Sequence, residues 1–191
     1  FPYTTLFRSV TTKSILSQTY TDFEFIIIDG ASTDKTLNFI SKIKFQNLYF
    51  ASSPDAGIYD AMNRGMLVSK GDYIIFMNAG DSFATSFVLQ ILSEAIDHFY
   101  SKNHLNPDFI YGDSFERRIV DDGSLLHKKS RNSKYIAYGM FARHQSMVFK
   151  GEMAKKIIYC LNYDIAADYD FVCKFLKCAR SVIYLPKPLI G

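Results

Sequence analysis

Two apolar runs set what this chain can become: FEFIIIDG at residues 23–30 and DYIIFMNAGD at residues 72–81. Each is too short for a core helix, is rich in Ile, and closes on a glycine beside a carboxylate, as a buried strand does when it ends at a turn. Segments of helical period separate them. STDKTLNFISKI reads as a helix, because Ser32 or Thr33 can cap its start, Asp34 suits the first turn, and Leu37, Ile40 and the nearby Phe39 and Ile43 supply an apolar side. NLYFAS reads as the next strand. From Ile58, apolar or small residues recur at Ala61, Met62, Gly65 and Met66 on one helix face, Gly71 ends that helix, and Ser86 to Phe99 reads as another. Strands alternating with helices predict an α/β fold with a Rossmann-like, mostly parallel sheet. Such a sheet delivers its strand ends to one rim where ligands gather, so Asp29 and Asp81 are expected as neighbours.

The second half changes character. DFIYGD, FERRIV and LLHKK are short strand-like runs, with Asp121-Asp122-Gly123 as a hairpin turn signal, and HQSMVF is one more strand. Ala167 to Ala179 reads as a helix with Ala167, Phe171, Phe175, Leu176 and Ala179 close to one side. These features predict a mixed region following a nucleotide-type half, within a single domain over 1–191 divided at about residue 100. The segment 1–9, FPYTTLFRS, has neither an initiator Met nor a signal-peptide order, and is read as a truncation or an assembly scar, so that the chain is expected to be a fragment.

Bulk properties narrow the function. With 191 residues, 48% hydrophobic and 21% charged, the chain can bury an ordinary globular core. A net charge of +3 with scattered basic residues is too weak a field for nucleic acid. No apolar stretch approaches the roughly 18 residues that cross a bilayer. Cys160, Cys173 and Cys178 have no metal-like spacing and read as reduced thiols, which suits the cytoplasm. Phosphate-loop, dinucleotide, zinc-peptidase and nucleophile-elbow motifs are all missing from the sequence.

Four stretches, ILSQTYTDFEFIIIDGASTDKT, DAGIYDAMNRG, GDYIIFMNAGD and IAADYDF, resemble in order and spacing the family-2 glycosyltransferases of the GT-A fold, nearest to bacterial members that build capsule, exopolysaccharide or lipopolysaccharide. The resemblance implies an inverting transfer from a nucleotide-diphosphate sugar to a saccharide or lipid-linked saccharide. It also implies a cytoplasmic enzyme, with association at the inner membrane face left open. Asp29 is implied to contact the donor nucleoside, with a turn and cap as its structural alternative, and Asp34 is read as serving the turn. Asp55 and Gly57 resemble positions bordering the donor site, while Asp60, Asn63 and Arg64 lie on a polar helix side and could equally be solvated.

The family's metal motif is D-x-D, whereas this chain reads N-A-G-D, with Asn78 in place of the leading acid and Asp81 at the end. Magnesium commonly keeps several waters and one or two protein carboxylates beside its phosphates, so Asp81 alone can suffice, with Asn78 offering a neutral oxygen. Mg2+ or Mn2+ is the expected cofactor. In the family's helix-entry acid pair Ala167 replaces the Glu and Asp168 keeps the Asp, implied to be the general base. A first-turn Asp is also favoured simply by the helix dipole. Asp170, Asp113 of YGD and His144 of RHQ are assigned to the acceptor side, each with a structural reading beside it. A degenerate or truncated non-catalytic domain binding sugar nucleotides or glycans is the alternative, and a sugar nucleotidyltransferase is the more distant one. The usual opening strand of the family, which helps hold the nucleobase, is expected here in damaged form before a helix at SILSQTY.

Overall fold

The computed structural model describes residues 4–117, 125–163 and 165–191. Helix α1, Thr4–Leu16, opens the chain, so the N-terminal segment expected as a damaged strand is helical. Strand β1, Phe25–Asp29, and β2, Leu48–Ser52, pair in parallel, Phe25 opposite Leu48 and Asp29 opposite Ser52. Between them α2 spans only Thr36–Ile40, far less than the helix read from Ser32. The reason is local: the Asp34 carboxylate accepts from the Thr36 amide at 2.9 Å and from the Thr36 hydroxyl, forming a turn where the first helical turn was expected. Neither Ser32 nor Thr33 caps the helix.

Helix α3, Ile58–Val68, leads to β3, Tyr73–Ile75, and α4, Val88–Asn103, follows. The second sheet is then built around β4, Phe109–Arg117. This strand pairs antiparallel with β5, Leu125–Lys128, and with β6, Met147–Lys150, and parallel with β7, Val182–Ile190; β3 joins on the far side of β6. The expected turn at 121–123 lies outside the described residues. HQSMVF becomes a strand only from Met147, because His144–Ser146 forms a 3-10 turn. Helices α5, Gly151–Ile157, and α6, Ala167–Cys178, complete the fold; α5 had no counterpart in the sequence reading.

Period-2 alternation puts opposite faces of the second sheet into two cores. Phe109 and Tyr111 of β4 and Met147 and Phe149 of β6 pack with Phe76 and with Phe171 and Phe175 of α6. Ile110 and Val148 point the other way, onto Val88 and Leu92 of α4 and onto Leu189 and Ile190. Among the described residues the two sheets do not join. Among the described residues β1 pairs only with β2, and β3 only with β6. The Glu24 carboxylate accepts from the Lys70 and Gly71 amides at 2.7 and 2.6 Å and so holds the starts of β1 and β3 together. A slot of about 930 Å³ runs between them. This gap is why β1, expected to be buried, is only half-buried from Phe25 to Ile28.

Candidate active site

The rim expected from the sequence is built by two short loops. At the end of β1, Asp29 is buried and its Oδ2 accepts from the Ser32 amide and from the Ser52 hydroxyl, both at 2.8 Å. Asp55 stands against the next residue: a Cβ on Gly30 would lie 2.5 Å from the Asp55 carboxylate, so any larger residue there would push that side chain aside. Asp55 also accepts from the Gly57 amide at 3.0 Å, which shapes the entry to α3. Asp60 and Arg64 of α3 form an i,i+4 ion pair at 2.7 Å, and Arg64 also donates to Ser53. Asn63, read as lying on a polar side, is instead buried, and its amide exchanges two hydrogen bonds with the Tyr159 backbone at 2.7 and 2.9 Å.

Beyond β3 the N-A-G-D loop turns tightly, with Gly80 at φ 105°. The Asn78 amide donates to Asp81 Oδ2 at 2.9 Å. Thr11 of α1 holds the same loop, its hydroxyl donating to the Asn78 carbonyl at 3.2 Å and accepting from the Gly80 amide at 2.9 Å. Arg143 brings its guanidinium to 3.6 Å from Asp81 Oδ1. Sequence reading selected neither Thr11 nor Arg143 for this loop, because both reach it from distant elements and carry no local signal.

Among the described residues no three His, Cys, Asp or Glu side chains converge on a common metal position. Asp81 is the carboxylate that the loop offers, with one oxygen engaged by an amide and the other beside Arg143. This set fits a cation that arrives with its phosphates and needs one protein carboxylate.

Asp168 lies in the first turn of α6, its Oδ1 accepting from the Tyr169 amide at 2.8 Å. Its surroundings come from three other segments. Tyr59 of α3 donates to the Ile165 carbonyl at 3.0 Å, and its phenol is pushed up by burial and by the Asp168 charge. Tyr159 is pushed up by the same two causes. His144, only 6% exposed, shares a 2.9 Å hydrogen bond with the Tyr159 hydroxyl; burial lowers its pKa to about 4 against the opposing pull of Asp168. Phe76 stacks on His144 and meets Tyr159 and Phe171 edge-on, so an aromatic block joins the end of β3 to the start of α6.

Three acceptor-side expectations change. His144 is buried and neutral, a fixed member of this block rather than an open sugar contact. Asp113 is fully buried: Oδ1 accepts from the Ser130 amide and the Tyr184 hydroxyl, and Oδ2 lies 2.8 Å from His127 Nε2. The β4–β7 register shifts on either side of Asp113, a bulge that re-aims its side chain. Burial disfavours this carboxylate, yet the Ser130 amide, Tyr184 and His127 outweigh that effect and hold its pKa below the ordinary value. Asp170 is taken up by an i,i+4 ion pair with Lys174 at 2.6 Å.

The buried histidine makes a pH prediction. Its folded pKa lies below the unfolded 6.5, so its contribution to stability is complete above pH 6.5 and is lost as pH falls toward 4. The loss should amount to about 3 kcal/mol. Urea midpoints measured between pH 7.5 and 4 should follow that fall, and His144→Gln should flatten it; an equal slope in the variant would reject this origin.

The fold and its strand-end loops define a GT-A type α/β domain. The S. aureus TarS 1–349 structure in complex with UDP superposes with a TM-score of 0.77 at 18% identity, over 98% of this chain and 56% of that one. A Pyrobaculum calidifontis mannosyltransferase in complex with GDP-Man and Mn2+ gives a TM-score of 0.65 at 16% identity, over 95% and 51%. Residues 9–174 match the family described as Glycosyl transferase family 2, and the chain belongs to it. A PGL/p-HBAD biosynthesis glycosyltransferase of Mycobacterium bovis (strain BCG / Pasteur 1173P2) is 31% identical over 169 residues, 83% of this chain and 60% of that protein. The chain thus spans about 60% of the length of such curated relatives.

Proposed function

We propose that this chain carries the donor-binding and catalytic part of an inverting glycosyltransferase that moves a sugar from a nucleoside-diphosphate donor to a saccharide or lipid-linked saccharide. The observation that carries the reading is the join at Arg143-His144: Arg143 pairs with Asp81, while the adjacent His144 bonds to Tyr159, whose ring stacks on Phe171 of α6, the helix that carries Asp168 in its first turn. Consecutive residues thereby tie together the two acids expected to work on one sugar. On this reading residues 10–100 form the donor half, with Asp29, Asp55 and Gly57 on the nucleoside side, and residues 101–191 form the acceptor half.

In the transfer, the acceptor oxygen bonds to the anomeric carbon as the bond from that carbon to the diphosphate breaks, its electron pair leaving with the phosphate. Asp168 takes the acceptor's proton. Arg143 and the Asn78–Asp81 loop face the charge that grows on the departing diphosphate. A divalent cation held by Asp81 and the phosphates, with Asn78 as neutral neighbour, would add positive charge there. No helix among the described residues is long and apolar enough to cross a membrane, and the reading places the reaction in the cytoplasm, at the inner membrane face when the acceptor is lipid-linked.

Calorimetric titration with UDP and GDP, each with and without Mn2+, tests the donor site. One nucleotide should bind, and Asp81→Ala should weaken that binding at least tenfold in Mn2+. Failure of both nucleotides to bind under every condition would overturn the proposal. Asn78 and Ala167, which stand where the family carries acids, favour the second reading, a binding domain without turnover, which predicts nucleotide binding but no sugar transfer.

A further inference from the structure

Helix α6 begins without a hold of its own. Ala166, at its cap position, has no side-chain acceptor to offer the first turn. The stretch that leads into it supplies no apolar anchor either: its described residues between Cys160 and Ala167 are all exposed, Ile165 at 87%. Yet the turn that follows carries Asp168. A group that takes a proton during transfer has to stand in a fixed place, so the hold must come from another element.

That element is α3. Tyr59, in its first turn, donates to the Ile165 carbonyl at 3.0 Å. The ring below this hydroxyl stacks on Tyr159 at 5.6 Å between centroids, and Tyr159 stacks in turn on Phe171 of α6. Further along α3, Asn63 holds the Tyr159 backbone through its two hydrogen bonds, so the approach to α6 is tied to α3 at Tyr159 and again at Ile165. The other end of α3 meets the donor-side loop. Asp60, next to Tyr59, accepts from the Ala56 amide at 3.0 Å, which makes one unit of the first turn of α3 and the loop bearing Asp55 and Gly57.

We infer that Tyr59 is a positioning residue for the transfer: its hydroxyl holds the entry of α6 to the first turn of α3 and thereby sets Asp168 against the loop that takes the donor. The inference rests on the reading of Asp168 as general base, and adds to it a residue that acts through that base. A phenol suits the task. Its length spans the gap between two helices, and its ring, seated on Tyr159, aims the hydroxyl at one carbonyl. A strut already fixed at both ends needs no ordering as the reaction proceeds, so the bond helps the base without touching the sugar.

The test is Tyr59→Phe, which keeps the ring on Tyr159 and removes only the hydroxyl. In the full chain kcat for sugar transfer should fall about 10–100-fold with the donor KM unchanged, and hydrogen exchange at the amides of residues 168–171 should quicken. Combined with Asp168→Asn, the same change should lower the residual rate by less than about twofold, because a residue that works through Asp168 then has nothing left to position. An unchanged kcat, unchanged exchange, a loss confined to KM, or an equal loss in both backgrounds would each overturn the proposal. So would a melting temperature lowered by more than about 4 °C, the mark of a plain support of the fold. Full transfer by Asp168→Asn would instead reject the base and its positioning residue together, which separates failure of the underlying reading from failure of this inference alone.

Discussion

Asp168→Asn is expected to lower sugar transfer by about 10²–10⁴-fold, the range of a positioned general base, while leaving the melting temperature and nucleotide affinity nearly unchanged. The amide keeps the shape of the carboxylate and can still accept from the Tyr169 amide, so the first turn of α6 should survive. What it loses is the capacity to take the acceptor's proton. The loss should therefore fall on kcat and not on the donor KM. Asp170→Asn is the internal control. Asp170 pairs with Lys174 on the exposed flank of the same helix, and removing such an i,i+4 pair costs only a few tenths of a kcal/mol. Full activity in Asp168→Asn would withdraw its assignment, and equal losses in both variants would point to damage of α6.

Much of the fold was legible because period speaks directly to strands and helices. β1, β2, α3 and α6 stand close to where their apolar spacing put them. The errors have definite causes. The helix read from Ser32 lost its first turn to Asp34, whose carboxylate captured the Thr36 amide. The run YIIFMN pairs only over Tyr73–Ile75, because Phe76 leaves the sheet to join the aromatic block around His144. At the site, sequence found the strand-end acids but could not say which way side chains near β4 and β6 point. Asp113 turns inward at a bulge, and His144 sits in a 3-10 turn under Tyr159, so both became supports. The contacts of Arg143 and Thr11 with the Asn78–Asp81 loop were not legible because they join residues more than 60 positions apart in the chain.

Phe171→Ala is expected to cost about 3–5 kcal/mol of stability, the range for truncating a fully buried aromatic ring. Phe171 has no exposed surface; its ring stacks on Tyr159 at 4.3 Å between centroids and meets Phe149 edge-on at 5.2 Å. Its neighbours belong to separate elements, so they cannot close the hole without moving α6 relative to β6. Phe171→Leu retains most of the volume and should cost roughly half as much. Urea denaturation with an unchanged m-value would measure both, and a loss below about 1 kcal/mol for the alanine variant would show that the block is looser than its geometry. The same packing bears on chemistry, since Asp168 precedes Phe171 by one helical turn and takes its position from that anchor. In the alanine variant the folded fraction that remains at low temperature should therefore transfer sugar more slowly than its abundance accounts for. The leucine variant, with α6 still seated, should lose activity only in proportion to unfolding.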